Sequence, residues 1–361
     1  RRFFEMIEIV GKLLMYFRRT RVFLALWTNM GIACLLGLSA SCWANGELDN
    51  SEPRLSVMAS VRPLALIIEE WAAISGLEQQ ISVESFLSGN ANPHHIALTA
   101  SDISRVSNTD LMVWVGPELE AFLEKPIRAR TKPSIKLSDL PTLQWPLSDS
   151  GSSVVHFHHG EHSHSEDVVG YRDPHLWLAY NNAISVVMEV SQHVLVLRPH
   201  FASQIEEGRA TYIAKLKAQR LIALHYLSEL DVRLGVAVFH DSLGHYLQQF
   251  RAEAFEIPQV AALTLVAEQQ IGIRSLLQFK RQVAPACLLA DIQEYHLAKG
   301  YGQKLGWPVV EIDLLAAATE TPSYLEYMGA LAIAISKCFG GTANDVGVED
   351  KLLGKKNPAS Q

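Results

Sequence analysis

The chain has 361 residues, 48% of them hydrophobic and 19% charged, with 31 Lys/Arg against 38 Asp/Glu and a net charge of −7. That length and apolar content support a large buried core, divide most naturally into two lobes, and exclude a disordered chain. The acidic balance argues against nucleic acid as a partner.

In chain order, the first organised segment is basic and then apolar. Arg18, Arg19 and Arg21 precede an apolar stretch from Val22 to Leu38 that runs into small residues. This is the pattern of a secretory signal cleaved after Ala44, with a retained membrane anchor as the alternative. Cys42 fits a lipid-anchor site poorly, because Ser39 stands where an apolar residue is wanted. Residues 1–44 are therefore expected to be an upstream extension plus signal peptide, and the mature chain to be periplasmic. Residues 1–44 carry six of the Lys/Arg and two of the Asp/Glu, so the remainder has 25 basic against 36 acidic residues and a net charge of −11. Of the four cysteines only Cys287 and Cys338 lie beyond the leader. An even pair in an exported protein is most simply one disulfide, and neither belongs to a CxxC metal motif.

From Arg54, short β-rich runs alternate with amphipathic stretches: RLSVMASV before PLALIIEEWAAISG, then DLMVWVG before PELEAFLEK. The alternation predicts parallel sheets covered by helices. After Leu140 the periodicity lapses into a long exposed loop rich in Pro, Gly, Ser and Asp. Within it, nine residues hold His156, His158, His159, His162 and His164. Neutral imidazole binds divalent transition metals, so this acid-flanked cluster reads as a metal-capturing loop inserted over residues 152–168. Helical patterning returns at Ala179 and runs, with a break at Arg198-Pro199, to about Leu230. A helix of some thirty residues is about 45 Å long, enough to tie two lobes together and to limit their relative motion. The alternation then resumes with RLGVAVFH, a helix from Leu243, the strand-like EAFEI, a helix from Glu268 to Gln282, ACLLAD, a further helix, PVVEID and a last helix into Cys338. The division expected is an N-terminal α/β lobe over residues 53–198, a linking helix over 199–229, a C-terminal α/β lobe over 230–340, and a polar tail over 341–361.

Three further histidines fall at strand ends or in the loops that leave them: His94 in NPHHIAL, His175 in DPHLWL and His240 in VFHDSLGHY. Open α/β sheets bind ligands outside the carboxyl ends of their strands, where distant segments converge. Asp173 and Asp241 are placed to accept from the imidazoles and set their tautomers. Glu118 and Glu120, at a helix start in GPELEAF, read as favouring the positive end of the dipole rather than as acid/base groups. His95 is expected to turn away from the site. His245 is read first as a packing residue, with the cleft as its alternative.

These segments, in this order and spacing, resemble the cluster A-I solute-binding proteins, the extracytoplasmic metal receptors of ABC importers, and in particular their zinc-uptake ZnuA type. The resemblance covers about residues 54–340 and rests on NPHHIALTASDISRVSNTDLMVWVGPELEAFLEK, the His-rich loop, DPHLWL, VFHDSLGHY and VVEID. It implies metal ligation by His94, His175 and His240, a fourth ligand at Asp313, and a disulfide between Cys287 and Cys338. The fold expected is α/β, two lobes of mainly parallel four-stranded sheet flanked by helices, joined by one long helix, with the metal in the inter-lobe cleft. The family's D-P-L-G is here Asp313-Leu314-Leu315-Ala316, so Asp313 is the weakest of the four ligands. The family's acidic F-A-E-P-Q becomes Leu289-Ala290-Asp291-Ile292-Gln293, which keeps a carboxylate one methylene shorter.

Three imidazoles with a carboxylate or water suit tetrahedral zinc, whereas manganese wants more oxygen donors. The expected function is capture of Zn²⁺ and its delivery to an ABC importer permease with a cytoplasmic ATPase, by a monomeric receptor that is not an enzyme. The alternatives are a zinc-dependent hydrolase, which shares a three-His layout but here lacks HExxH, and a manganese-binding or adhesin-like member of the same fold.

Overall fold

The computed structural model describes residues 53–88, 96–146, 172–228, 230–231, 233–250, 260–264, 276–277, 280–281, 285–318 and 323–340. The expected signal segment, the His-rich loop, His94 and His95 lie outside these residues. So do the run EAFEI and most of the helix expected over 268–282.

Two sheets carry the fold. The first holds β1 (Leu55–Ala59), β2 (Ile81–Ser85), β3 (Leu111–Trp114) and β4 (Ser134–Lys136) in the order β2-β1-β3-β4, every pair parallel. The second holds β5 (Gly235–His240), β6 (Val260–Thr264), β7 (Pro285–Asp291) and β8 (Val309–Ile312) in the order β6-β5-β7-β8, again all parallel. The strand expected at EAFEI is outside the described residues; the edge strand that pairs with β5 comes after that run, at VAALT. In both sheets the chain reverses direction of growth between its first and third strands, which opens a crevice beyond their carboxyl ends.

Helix α1 (Arg62–Ile74) follows β1 with Pro63 in its first turn, where a missing N–H costs nothing. Its Leu64, Ala65, Leu66, Ile67, Ile68, Trp71 and Ala72 are all buried, the mark of a helix covered on nearly every side. By contrast α2 (Ala100–Asn108) buries only Val106, and a reciprocal capping box of Thr99 and Asp102 fixes its start. The short helices α3 (Pro117–Glu120) and α4 (Glu124–Arg128) follow β3.

Helix α5 (Tyr180–Leu197) ends before Pro199, and after a single 3₁₀ turn α6 (Ala202–Ser228) begins. The 27 residues of α6 span about 40 Å at 1.5 Å per residue. Its buried Ile205, Gly208, Tyr212, Leu216, Gln219, Ala223 and Leu227 recur every three or four positions and form one stripe. Gly208 is required for close approach, since a Cβ there would stand 2.6 Å from the Ser75 Cα at the end of α1. The second sheet is covered by α7 (Gly244–Gln248), α8 (Tyr295–Leu305) and α9 (Tyr324–Cys338). Alternation along β5 and β7 sorts the core: Val236, Val238, Cys287 and Leu289 join the main cluster, while Ala237, Phe239, Leu288 and Ala290 join a smaller one on the opposite face. The main cluster is continuous from β1 and α1 through α5 and α6 to β7 and α9. A disulfide joins Cys287 of β7 to Cys338 at the end of α9.

Glu120 is an exception inside this apolar frame. Fully buried, it accepts the Gly116 amide at 3.1 Å, reaching back to the residue that starts its own short helix. Burial pushes its carboxyl up to about 7, and Glu118 adds to the rise, against the opposing pull of Ser60 and the Gly116 and Val115 amides. A folded-state value above the unfolded one means the native chain holds the proton more tightly. The associated stability is therefore present below about pH 4.5 and lost as pH rises through about 7. Glu120→Gln is expected to flatten that slope, worth at most about 3 kcal/mol, in urea denaturation run at intervals from pH 5 to pH 8. An unchanged slope would assign the pH dependence to other groups.

Candidate metal centre

His175 lies in the segment that enters α5, and Asp173 fixes it twice. The Asp173 Oδ1 accepts the His175 backbone N–H at 3.0 Å and the imidazole Nδ1 at 2.7 Å. With its proton on Nδ1, the ring keeps the lone pair on Nε2 for a metal. His175 is only 4% exposed, so its orientation is held by packing as well. The next turn is bolted to β8 and α9: the Trp177 indole N–H donates to the Leu314 carbonyl at 3.0 Å, and the Tyr324 hydroxyl donates to the Trp177 carbonyl at 2.6 Å. The Tyr327 hydroxyl donates to the same Leu314 carbonyl at 2.8 Å.

His240 is the last residue of β5 and Asp291 the last of β7, on neighbouring strands at the reversal point of the second sheet. The His240 and His175 rings stand edge to face, centroids 5.2 Å apart and planes at 78°. Two imidazoles on one tetrahedral zinc, with nitrogen-to-metal bonds of about 2 Å, hold their centroids about 5 Å apart. Residues 65 positions apart in sequence thus meet at the spacing a shared ion requires. Among the described residues no group of three or more His, Cys, Asp and Glu closes on one point. His94, which belongs to the segment between β2 and α2, is outside them.

The surroundings are acidic. Burial tends to raise the Asp173 carboxyl, but the His175 and His245 imidazoles and the His175 amide outweigh it and hold it below the usual range. Asp241 is pushed up to about 6 by burial and by the Asp173 charge, against the pull of His175. Burial likewise raises Asp291, and Asp313 adds to it, while the Gln293 and Leu314 amides and His175 pull the other way. Carboxyl groups raised by burial and by one another are brought back down by a nearby cation, so this setting favours positive charge.

Asp313 follows β8 and organises its own loop: Oδ1 accepts the Leu315 and Ala317 amides at 3.3 and 2.8 Å, and Oδ2 accepts that of Ala318 at 2.9 Å. Ala316, at the position of the glycine in D-P-L-G, has φ of +51°. The loop keeps a glycine-like turn with a Cβ in it, a strain of roughly 1–2 kcal/mol. Asp291 accepts the Gln293 and Leu314 amides at 3.0 and 2.8 Å, which ties it to the same loop.

His245 is a strut. Its Nε2 donates to the Asp173 carbonyl at 2.8 Å, and its Nδ1 meets the Asn182 amide nitrogen at 3.2 Å. Both ring nitrogens are occupied, and burial depresses its pKa against the opposing pull of Asp173. Gly244 permits this approach, since a Cβ there would lie 2.9 Å from the Asp173 Oδ2. Asn182 also clasps Gln144, accepting its N–H at 2.8 Å and donating to its carbonyl at 3.0 Å. The Asn182–His245–Asp173 chain leaves no trace in the sequence, because an Asn on a helix face carries no signal of a partner 63 residues away.

The family described as "Zinc-uptake complex component A periplasmic" (ZnuA) matches residues 57–338. The high-affinity zinc uptake system protein ZnuA of Yersinia pestis is 28% identical over 252 residues, 66% of this chain and 76% of that one. Its counterpart in Haemophilus ducreyi is 26% identical over 302 residues, 78% and 92% of the two chains. The iron-binding protein YfeA of Yersinia pestis is 21% identical over 287 residues, 76% and 86% of the two. Among solved structures, a crystal structure of ZnuA superposes with a TM-score of 0.62 at 17% identity, covering 79% of this chain and 99% of its own. A mutant structure of the laminin-binding adhesin Lmb from Streptococcus agalactiae gives 0.63 at 15% identity, with 79% and 99% covered.

Proposed function

The chain belongs to the ZnuA family of periplasmic zinc-uptake components, and from that premise we propose that it is the zinc receptor of an ABC importer. An N-terminal signal peptide exports it to the periplasm. There, as a monomer, it takes Zn²⁺ between lobes spanning residues 53–198 and 230–340, linked by 199–229, and presents it to the membrane permease and its ATPase. It carries its substrate and does not transform it.

The ligands are His94, His175 and His240, with the fourth position filled from the Asp291 and Asp313 pair or by water. The 5.2 Å spacing of the His175 and His240 rings, with Asp173 setting the His175 tautomer, is the observation that carries the reading. Three imidazoles and at most one carboxylate favour zinc over manganese, which wants more oxygen donors. The histidines of 156–164 form an auxiliary loop that gathers zinc ahead of the cleft. The deciding experiment is metal analysis of the mature chain with chelator competition, zinc against manganese and iron(II). One tight zinc equivalent is expected, retained after deletion of residues 152–168. Loss of all tight binding on that deletion would move the site to the loop, and preference for manganese or iron(II) would reassign the cargo.

Asp173→Asn keeps the shape but gives up the charged acceptor. Loss of such an outer partner weakens metal binding about 10–100-fold, to be read by the same competition. An affinity equal to the parent's would remove Asp173 from the site.

A further inference from the structure

Glu70 lies on α1 and takes no part in the centre described above. Its Oε2 accepts the Tyr212 hydroxyl at 3.0 Å and the Leu325 backbone N–H at 3.2 Å. These three residues belong to three elements: α1 packs with the first sheet, Tyr212 is in the linking α6, and Leu325 is in the first turn of α9, which covers the second sheet. A carboxylate from one lobe thus caps a helix of the other, at the end where unpaired N–H groups and the dipole favour an anion. The helix's own cap, Ser323, serves a different amide, that of Glu326.

Holding a charge there is costly. Burial raises the Glu70 carboxyl, and the Leu325 amide, Tyr212, the Tyr324 amide and Lys215 offset only part of the rise. Stability alone would be served as well by a well-packed apolar side chain, so the carboxylate calls for another account. That account lies in what α9 holds. Tyr324 fixes the Trp177 carbonyl and Tyr327 the Leu314 carbonyl, and the Trp177 indole fixes Leu314 in turn. Trp177 is two residues from His175, and Leu314 follows Asp313.

We propose that Glu70 is a positioning residue for metal binding, a first-lobe carboxylate that caps α9 and so fixes how closely the first sheet approaches the His175–His240 pair. The proposal rests on the metal-receptor reading and is tested so that the two fail separately. Nitroxide labels on Lys125→Cys and Lys299→Cys, both exposed and one in each lobe, report the inter-lobe distance in the metal-free chain. Chelator competition reports zinc affinity. Glu70→Leu is expected to broaden the distance distribution and weaken zinc about tenfold, about 1.4 kcal/mol. Glu70→Gln restores both, because its amide oxygen still accepts from Tyr212 and Leu325. Tyr212→Phe moves both in the direction of the Leu variant. A folded Glu70→Leu variant with the parent's distances and affinity would overturn the proposal, as would a Gln variant as weak as Leu. If the Leu variant does not fold, a Tyr212→Phe chain unchanged in both readouts overturns it instead. A parent chain that bound no zinc would defeat the receptor reading, while the metal-free distances would still decide whether Glu70 sets the spacing of the lobes.

Discussion

His240→Ala is expected to raise the zinc dissociation constant about a thousandfold, a loss of about 4 kcal/mol, without unfolding the chain. The side chain is the terminal residue of β5 and only partly buried, so its removal leaves the sheet's pairing and core intact. On the proposed site, what is lost is one of three imidazole ligands, and the ion would then exchange a protein ligand for water. His175→Ala should match it in affinity but cost more stability, because it leaves the buried Asp173 carboxylate without its main partner. The double variant should be scarcely worse than either single one, since a site that has lost one ligand has little left to lose. His296→Ala, an exposed change on α8, provides the control. Calorimetric titration or chelator competition at fixed pH checks the series. Tight binding retained in His240→Ala would show that the two rings meet for packing alone.

The second large effect is on stability. Cys287 and Cys338 are both buried and lie 51 residues apart. Closing a loop of that length restricts the unfolded chain by about 4 kcal/mol on the chain-entropy model. Cys287→Ser with Cys338→Ser is therefore expected to lower the urea midpoint markedly, with zinc affinity little changed in the chain that remains folded. Reductant added to the native parent should act slowly, because neither sulfur is open to solvent before unfolding. Equal denaturation midpoints with and without the bond would contradict this.

The parts of the fold that were legible in the sequence are those that bury most. β1, β3, β5 and β7 are nearly continuous apolar runs at the middle of their sheets, and a strand buried on both faces can hardly be written otherwise. The stop at Arg198-Pro199 was plain because proline ends a helix by its own chemistry. At the edge of the second sheet the sequence was less explicit: the run EAFEI lies outside the described residues, and the edge strand beside β5, Val260–Thr264, was not singled out. Short edge strands gain less from burial, so their sequences are less constrained.

In the site, motif spacing pointed to His175 and His240, and Asp173 was legible as an acceptor because it stands two residues from its imidazole. Partners brought in from afar left no local trace. Glu70, Asn182 and Tyr324 look like ordinary helix residues until their contacts across 255, 63 and 147 positions are known. Asp313 shows the reverse case. Its bonds are local, to the amides of Leu315, Ala317 and Ala318, so the carboxylate gathers its own loop around itself.

The unbroken apolar cluster from β1 to α9 bears on recognition at the membrane. On the receptor reading, two bodies that share one apolar interior would not swing apart like jaws, and the outline of the empty chain would differ little from that of the filled one. A permease facing such a receptor would then tell cargo from no cargo by the local order of side chains at the rim, a finer discrimination than a change of silhouette would allow.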